Sequence, residues 1–287
     1  MNADDPVGLH LQGLISAEVA LARLVLAGRS VAEIERLLAA RTGDGVAGLV
    51  HLFDARRAGL DGLADMLAQS GLDHAAACGA GDAIGRIRDA FDRAVACAPE
   101  ASVAAYSLGE PAILAAATDE LLAWLQHEGL LGPHRSVLDL GCGHGRVAAA
   151  LAARGHAVLG LDVSPGMIAQ ARRRHHGLAG LRFAVTPGRD LDFLPRAAFD
   201  LVLAVDSFPY LVQAGPALAE RHVAGAARAL RRGGALAILN LSYRADAGAD
   251  QADAARWAGA HGLRLGQAGS SPFRLWDGTA FLLHRPD

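Results

Sequence analysis

The chain has 287 residues, 52% of them hydrophobic, and a formal net charge of −3. That apolar content supports a large core in one large or two ordinary domains, and the acidic balance supplies no overall positive field to attract nucleic acid or an anionic membrane. Cys78, Cys97 and Cys142 are scattered without CxxC spacing, which argues against a disulfide framework or a zinc site and suits a reducing cytoplasm. The first apolar segment, GLISAEVALARLVLAG, follows Asp4 and Asp5 rather than basic residues and is interrupted by Glu18 and Arg23. It therefore reads as one amphipathic helix, not a leader, with a stripe of Leu11, Leu14, Ile15, Val19, Ala22 and Val25 or Leu26. No segment elsewhere reaches the roughly 18 uninterrupted apolar residues of a membrane span.

In SVAEIERLLAAR, Ser30 and Glu33 form a capping box, with Gly28 and Gly43 bracketing the helix. GVAGLVHLFDARRAG, DGLADMLAQSG and DAIGRIRDAFDRAVACAP predict three more helices, too unequal to form a solenoid repeat. His10, His51 and His74 are far apart and read as surface or core histidines; no metal site is expected. Residues 1–105 are thus expected to form an all-α domain. Pro99 marks the seam, and a connecting helix runs from near Pro111 to before Gly129.

Beyond that helix the periodicity changes. SVLDL, AVLGLDV, LRFAV, FDLVLAV, GALAILNL, LRLGQA and TAFLLHR are short apolar runs, and helical patterns separate the first five. Alternation of this kind predicts an α/β domain over residues 106–287, with a mostly parallel sheet covered on both faces. The arginines at 172–174 and at 231–232 read as solvated helix ends. In VLDLGCGHGR, residues 137–146, a strand runs into a glycine turn and then a helix; Asp162 ends the next strand. Bare backbone there admits a ligand closely, and a carboxylate at Asp162 can accept both hydrogens of a ribose diol, so a nucleoside derivative is the expected ligand.

A nicotinamide-binding turn has glycines spaced G-x-G-x-x-G, whereas here they fall as G-x-G-x-G and Arg146 takes the place of the third. The stretch from Val137 to Gly145 instead resembles the first motif of the class I S-adenosylmethionine-dependent methyltransferases. LDVSPGMIAQAR, FDLVLAVDSFPYLV and ALRRGGALAIL are similar to the family's later motifs in the same order. The resemblance implies a Rossmann-like seven-stranded methyltransferase sheet and S-adenosylmethionine as cofactor. It places Asp139, Gly141, Cys142 and Gly143 at the methionine end, Cys142 mainly as packing. It places Asp162 and Val163 at the ribose and Met167 against the adenine. The family's usual acid after the third strand is displaced in TPGRDLDFLP: Arg189 stands at its position, Asp190 is the candidate contact, and Asp192 or backbone amides alone are the alternatives. Tyr106, just before the sheet domain, can close over the cofactor or simply pack.

A sulfonium methyl is already activated, so the chain must align a nucleophile, exclude water and, for a protonated acceptor, supply a base. The carboxyl ends of the fourth and fifth strands nominate Asp206, Ser207, Tyr210 and Tyr243. Asp206 is the base candidate, with a loop-capping role as its alternative and a place beside the cofactor implied by the resemblance. His222 reads as a surface residue. SFPY departs from the signature of amide and base methylation by Phe208 in place of the first proline, so the expected acceptor is a small molecule rather than nucleic acid or protein. A non-catalytic cofactor-binding protein is the alternative from another class. The chain ends soon after the seventh strand, so the helical domain is expected to serve as substrate lid, with a homodimer contact as its second role. A chain beginning near Ala101 is then expected to keep the cofactor and lose transfer.

Overall fold

The computed structural model describes residues 5–72 and 82–287; His74 and Cys78 lie outside them. The described chain folds into two compact units that alternate along the sequence. One takes 5–72, Arg93–Glu120 and Phe273–Asp277, and the other takes 82–92, Leu121–Pro272 and Gly278–Asp287.

The first unit begins with α1 (Pro6–Leu11) and α2 (Ala17–Leu26), where the apolar stripe predicts a single helix. Gly13, at φ +73°, ends the first, and Ser16 caps the second by accepting the Val19 amide at 3.1 Å. The break divides the stripe: Val19, Ala22 and Val25 are buried, whereas Leu11, Leu14 and Leu26 are exposed. α3 (Val31–Ala39) opens on the expected capping box of Ser30 and Glu33. The next two predicted helices are one continuous element, α4 (Asp44–Ser70). Gly59 does not break it but supplies close approach, since a Cβ there would lie 2.1 Å from the Leu108 carbonyl oxygen. α5 (Ala83–Cys97) and α6 (Pro111–His127) each begin in one unit and end in the other.

The second unit contains a seven-stranded sheet in the order β3-β2-β1-β4-β5-β7-β6. Its strands are β1 (Ser136–Leu140), β2 (Ala157–Asp162), β3 (Leu181–Val185), β4 (Phe199–Val205), β5 (Leu230–Leu239), β6 (Arg264–Ser270) and β7 (Ala280–His284). Pairing is parallel from β3 through to β5, and β7 inserts antiparallel between β5 and β6. The helices between strands are α7 (Arg146–Ala152), α8 (Pro165–Arg174), α9 (Phe208–Ala214), α10 (Pro216–Ala229) and α11 (Ala247–Ala260). Leu138, Val202, Leu236 and Ile238 of the sheet share a core with Phe208, Val223 and Trp257 of the helices. Trp257 and Phe281 are essentially fully buried, each contributing about 2–3 kcal/mol by removal of apolar surface from water. Arg172, Arg173 and Arg174 do lie in the last turn of α8. Arg231 and Arg232 instead begin β5, where Arg231 pairs with Asp200 at 2.8 Å. Among the described residues no helix is long and apolar enough to cross a membrane. The strand order reverses between β1 and β4, and in open α/β sheets the crevice at that switch point receives the ligand.

Candidate functional site

Beyond Leu140 the chain turns over at once. The amides of Gly141 and Cys142 both donate to the Leu161 carbonyl, at 2.7 and 2.9 Å, tying the turn to the end of β2. Ser207, after β4, donates its hydroxyl to the Leu140 carbonyl at 2.6 Å. The carboxyl ends of three strands therefore meet at the glycine turn, and there is no room for a side chain. Gly141 has φ +73°, and a Cβ on it would sit 2.2 Å from the Cβ of Ser207.

Asp162 closes the other side. Its Oδ2 accepts the Gly143 amide and its Oδ1 accepts the Ser164 amide, each at 2.9 Å. Two backbone donors fix the carboxylate, and each oxygen retains a further lone pair. Burial pushes its carboxyl up to about 6, against the pull of those amides. Asp139, 2% exposed, is pushed by burial up to about 7, with the Arg146 charge the strongest opposing influence. Its Oδ2 is buried and accepts no hydrogen bond within the described protein. Two buried carboxylates with acceptor capacity to spare, beside backbone too close for side chains, fit a ligand that brings hydroxyl and ammonium donors. Burial also pushes the Cys142 thiol up, which keeps it a neutral packing group, and its Sγ donates to the Gly143 carbonyl at 3.6 Å.

α8 follows directly. Met167, in its first turn, is fully buried and Val163 is half-buried. Gly188, after β3, faces Val163: a Cβ on the glycine would lie 2.6 Å from Val163 Cγ1 and 3.1 Å from Ile84 Cγ2. Arg189 is exposed and offers its carbonyl to Arg221 at 3.3 Å. Asp190 is half-buried and accepts the Asp192 amide at 3.0 Å, whereas Asp192 itself is exposed and pairs with Arg228 at 3.3 Å.

At the ends of β4 and β5, Asp206 and Asn240 both adopt left-handed backbone, at φ 53° and 64°. Asn240 Nδ2 donates to Asp206 Oδ1 at 2.5 Å, and Asn240 Oδ1 accepts the Thr279 amide at 2.9 Å. The two strand ends are thereby locked with the Asp206 carboxylate held. Tyr210, buried on α9, meets Tyr243 edge to face at 5.8 Å and Phe91 of α5 likewise at 5.0 Å. Burial, and then the Asp206 charge, push the Tyr210 phenol well above its ordinary value, while a hydrogen bond with Tyr243 pulls the other way. Asp206, Tyr210 and Tyr243, nominated from the sequence, thus come together.

Tyr106 packs against an aromatic neighbour. It lies in the first unit, buried, with its ring stacked on Trp276 at 5.8 Å. His222 is not the surface residue its sequence suggests: it is 1% exposed, its Nδ1 bonds the Leu218 carbonyl at 2.9 Å, and burial pushes its pKa down. The helix pattern leaves it on the inward face of α10, beside Ala219, Val223 and Ala226. Sequence reasoning missed Asn240, Ile84, Phe91 and Asp92. Asn240 sits in a strand-end NLS, where asparagine's tolerance of left-handed backbone was the available signal, and the three α5 residues precede the sheet motifs by too far for spacing to connect them.

Residues 137–234 match the family described as "Methyltransferase domain". The seven-stranded sheet has the class I, Rossmann-like methyltransferase fold. Within the curated proteins, 52 residues are 56% identical to the trans-aconitate 2-methyltransferase of Methylobacterium nodulans, covering 17% of this chain and 20% of that protein. Over 107 residues the chain is 35% identical to the demethylmenaquinone methyltransferase of Tropheryma whipplei, covering 37% of this chain and 42% of that protein. The chain thus matches less than half the length of these curated relatives. A solved structure, the magnesium protoporphyrin IX methyltransferase of Synechocystis with bound S-adenosylmethionine, superposes with a TM-score of 0.53 at 23% identity. That match covers 72% of this chain and 98% of that one, and the likeness is of fold. The glycine turn and both buried carboxylates lie within the matched residues 137–234.

Proposed function

We propose that the protein transfers a methyl group from S-adenosylmethionine to a small-molecule acceptor. The observation that carries this reading is Asp162, buried at the end of β2 with one oxygen on the Gly143 amide and the other on the Ser164 amide. So held, it presents its remaining lone pairs to a ribose diol. Asp139, Gly141, Cys142 and Gly143 take the methionine end, where the buried Oδ2 of Asp139 accepts from an ammonium group. Val163 stands beside the ribose and Met167 lines the adenine end, where the half-buried Asp190 rather than the exposed Arg189 side chain is the candidate contact. S-adenosylmethionine supplies an activated sulfonium methyl.

For an acceptor that carries a proton, Asp206 is the base, pre-oriented by Asn240. Tyr210 stays a neutral hydrogen-bond donor, because burial and the nearby Asp206 charge oppose its ionisation. Tyr243 and Phe91 shield that corner from water. Small-molecule acceptors in the names of both curated relatives support the acceptor class. Cys97 and Cys142, unpaired, support a reducing cytoplasm. Exposed Leu11, Leu14 and Leu26 support self-association through the helical unit, which we also propose serves as substrate lid.

Titration with S-adenosylmethionine, S-adenosylhomocysteine and NADPH tests the reading. Binding of the first two and not the third is expected; binding of NADPH alone would show a reductase. Metabolite profiles with and without the gene then identify the acceptor.

A further inference from the structure

The helical part of the chain enters this site through a residue that the glycine turn and strand motifs do not supply. Asp92, on α5, belongs to the same compact unit as the sheet. Its Oδ1 accepts the Ser164 hydroxyl at 2.5 Å and the Gly166 amide at 2.8 Å, across 72 and 74 residues of chain. Ser164 is the N-cap of α8 and its Oγ accepts the Met167 amide at 2.9 Å, so its one hydroxyl proton goes to Asp92. Pro165 has no amide, and the Ile168 amide donates to the Ser164 carbonyl at 3.2 Å. The first-turn donors of α8 are therefore all taken, one of them by Asp92. Water would satisfy the Gly166 amide equally well. What water would not do is hold Ser164 Oγ and the Gly166 amide on one anchored acceptor, which fixes the start of α8 where the Ser164 amide holds Asp162.

We propose that Asp92 is a positioning residue for the cofactor-binding acid: it clamps Ser164, and Ser164 sets the orientation of Asp162. The proposal rests on the role given to Asp162 above. Ile84 and Phe91 belong to the same device. They lie two helical turns apart on α5, so one face of this helix presents Ile84 to Gly188, Asp92 to Ser164, and Phe91 to Tyr210. One rigid element thus touches the adenine side, the ribose side and the acceptor side of the proposed site.

Calorimetric titration of the full chain with S-adenosylhomocysteine tests this. Asp92→Ala is expected to weaken binding by about tenfold, the scale set by losing charge-assisted hydrogen bonds that act at one remove. Asp92→Asn keeps an oxygen able to accept from both Ser164 and Gly166, and is expected to stay within about threefold of the wild type. Ser164→Ala should lose as much as Asp92→Ala. The double variant should be no weaker than the weaker single one, because both remove the same link. Wild-type affinity in Asp92→Ala, or additive losses in the double variant, overturns the proposal. Should Asp92→Ala not fold, Ser164→Ala and Asp92→Asn decide: wild-type affinity in the first, or a loss above tenfold in the second, overturns it. A wild-type chain that binds no S-adenosylhomocysteine overturns the role of Asp162 as well, which distinguishes the two failures.

Discussion

Asp139 and Asp162 hold negative charge away from water, and in the free protein that burial opposes folding. The carboxyl of Asp139, ordinarily near 3.8, is pushed up to about 7 in the folded chain. Between those pH values the folded state keeps a proton that the unfolded state has released, so stability falls as pH rises through the window. Asp139→Asn removes the titration and keeps the shape. The variant is expected to match the wild type near pH 4 and to exceed it at pH 8, by at most about 4 kcal/mol at about 1.36 kcal/mol per pKa unit. Urea titrations at the two pH values measure this, and equal stability at pH 8 would count against a buried ionised carboxyl. Asp162→Ala is expected to weaken S-adenosylmethionine binding by about 1.5–3 kcal/mol, the usual cost of losing a charge-assisted partner. Unchanged affinity by calorimetry would remove Asp162 from the site. Both acids are legible in the sequence because each ends or nearly ends an apolar run. Asn240 is not, because its importance comes from Asp206 and Thr279 meeting it across strand ends.

The turn after β1 is the element with the least tolerance. Gly141→Ala places a side chain at φ +73° and against Ser207, which combines left-handed strain with overpacking. It is expected to destabilise the chain by about 2–4 kcal/mol and to abolish S-adenosylhomocysteine binding. A Gly141→Ala variant that melts and binds like the wild type would refute the close approach at this turn. At the exit loop of β4, Asp206→Asn keeps the hydrogen bond to Asn240 in reach but removes the proposed base. Transfer to a protonated acceptor is expected to fall by about 10²–10⁴-fold with S-adenosylhomocysteine affinity little changed. Loss of both together would identify Asp206 as a structural cap. Helix boundaries were less legible than strands. Periodicity carried through residues 11–26 although Gly13 and Ser16 divide the helix, and glycines within α4 suggested a stop where packing against Leu108 overrides their low propensity.

At the scale of the whole molecule, the two units exchange the chain several times, and α5 is where this matters for function. Its residues up to Asp92 cluster with the sheet and those from Arg93 on with the helical unit. A chain beginning at Ala101 therefore lacks Ile84, Phe91 and Asp92. From the sequence such a chain is expected to keep the cofactor. With Asp92 on Ser164, the expected outcome becomes a loss of S-adenosylhomocysteine affinity of at least about tenfold even when the truncated chain is folded. Circular dichroism establishes folding and calorimetry the affinity; a folded truncated chain with full affinity would show that α5 contributes nothing to the site.

By itself the sequence determined the sheet, the glycine turn, the acid at the end of β2 and the order in which strands and helices follow one another. These are local properties: apolar runs of strand length, glycines where backbone must come close, and caps such as Ser30 and Ser164 that bond within three residues. Tertiary structure alone decided that Asp92 reaches Ser164, that Phe91 meets Tyr210, that Asn240 locks Asp206 and that His222 is buried. Each of those depends on which surfaces the topology brings together across tens of residues, and neither side-chain chemistry nor periodicity encodes that distance.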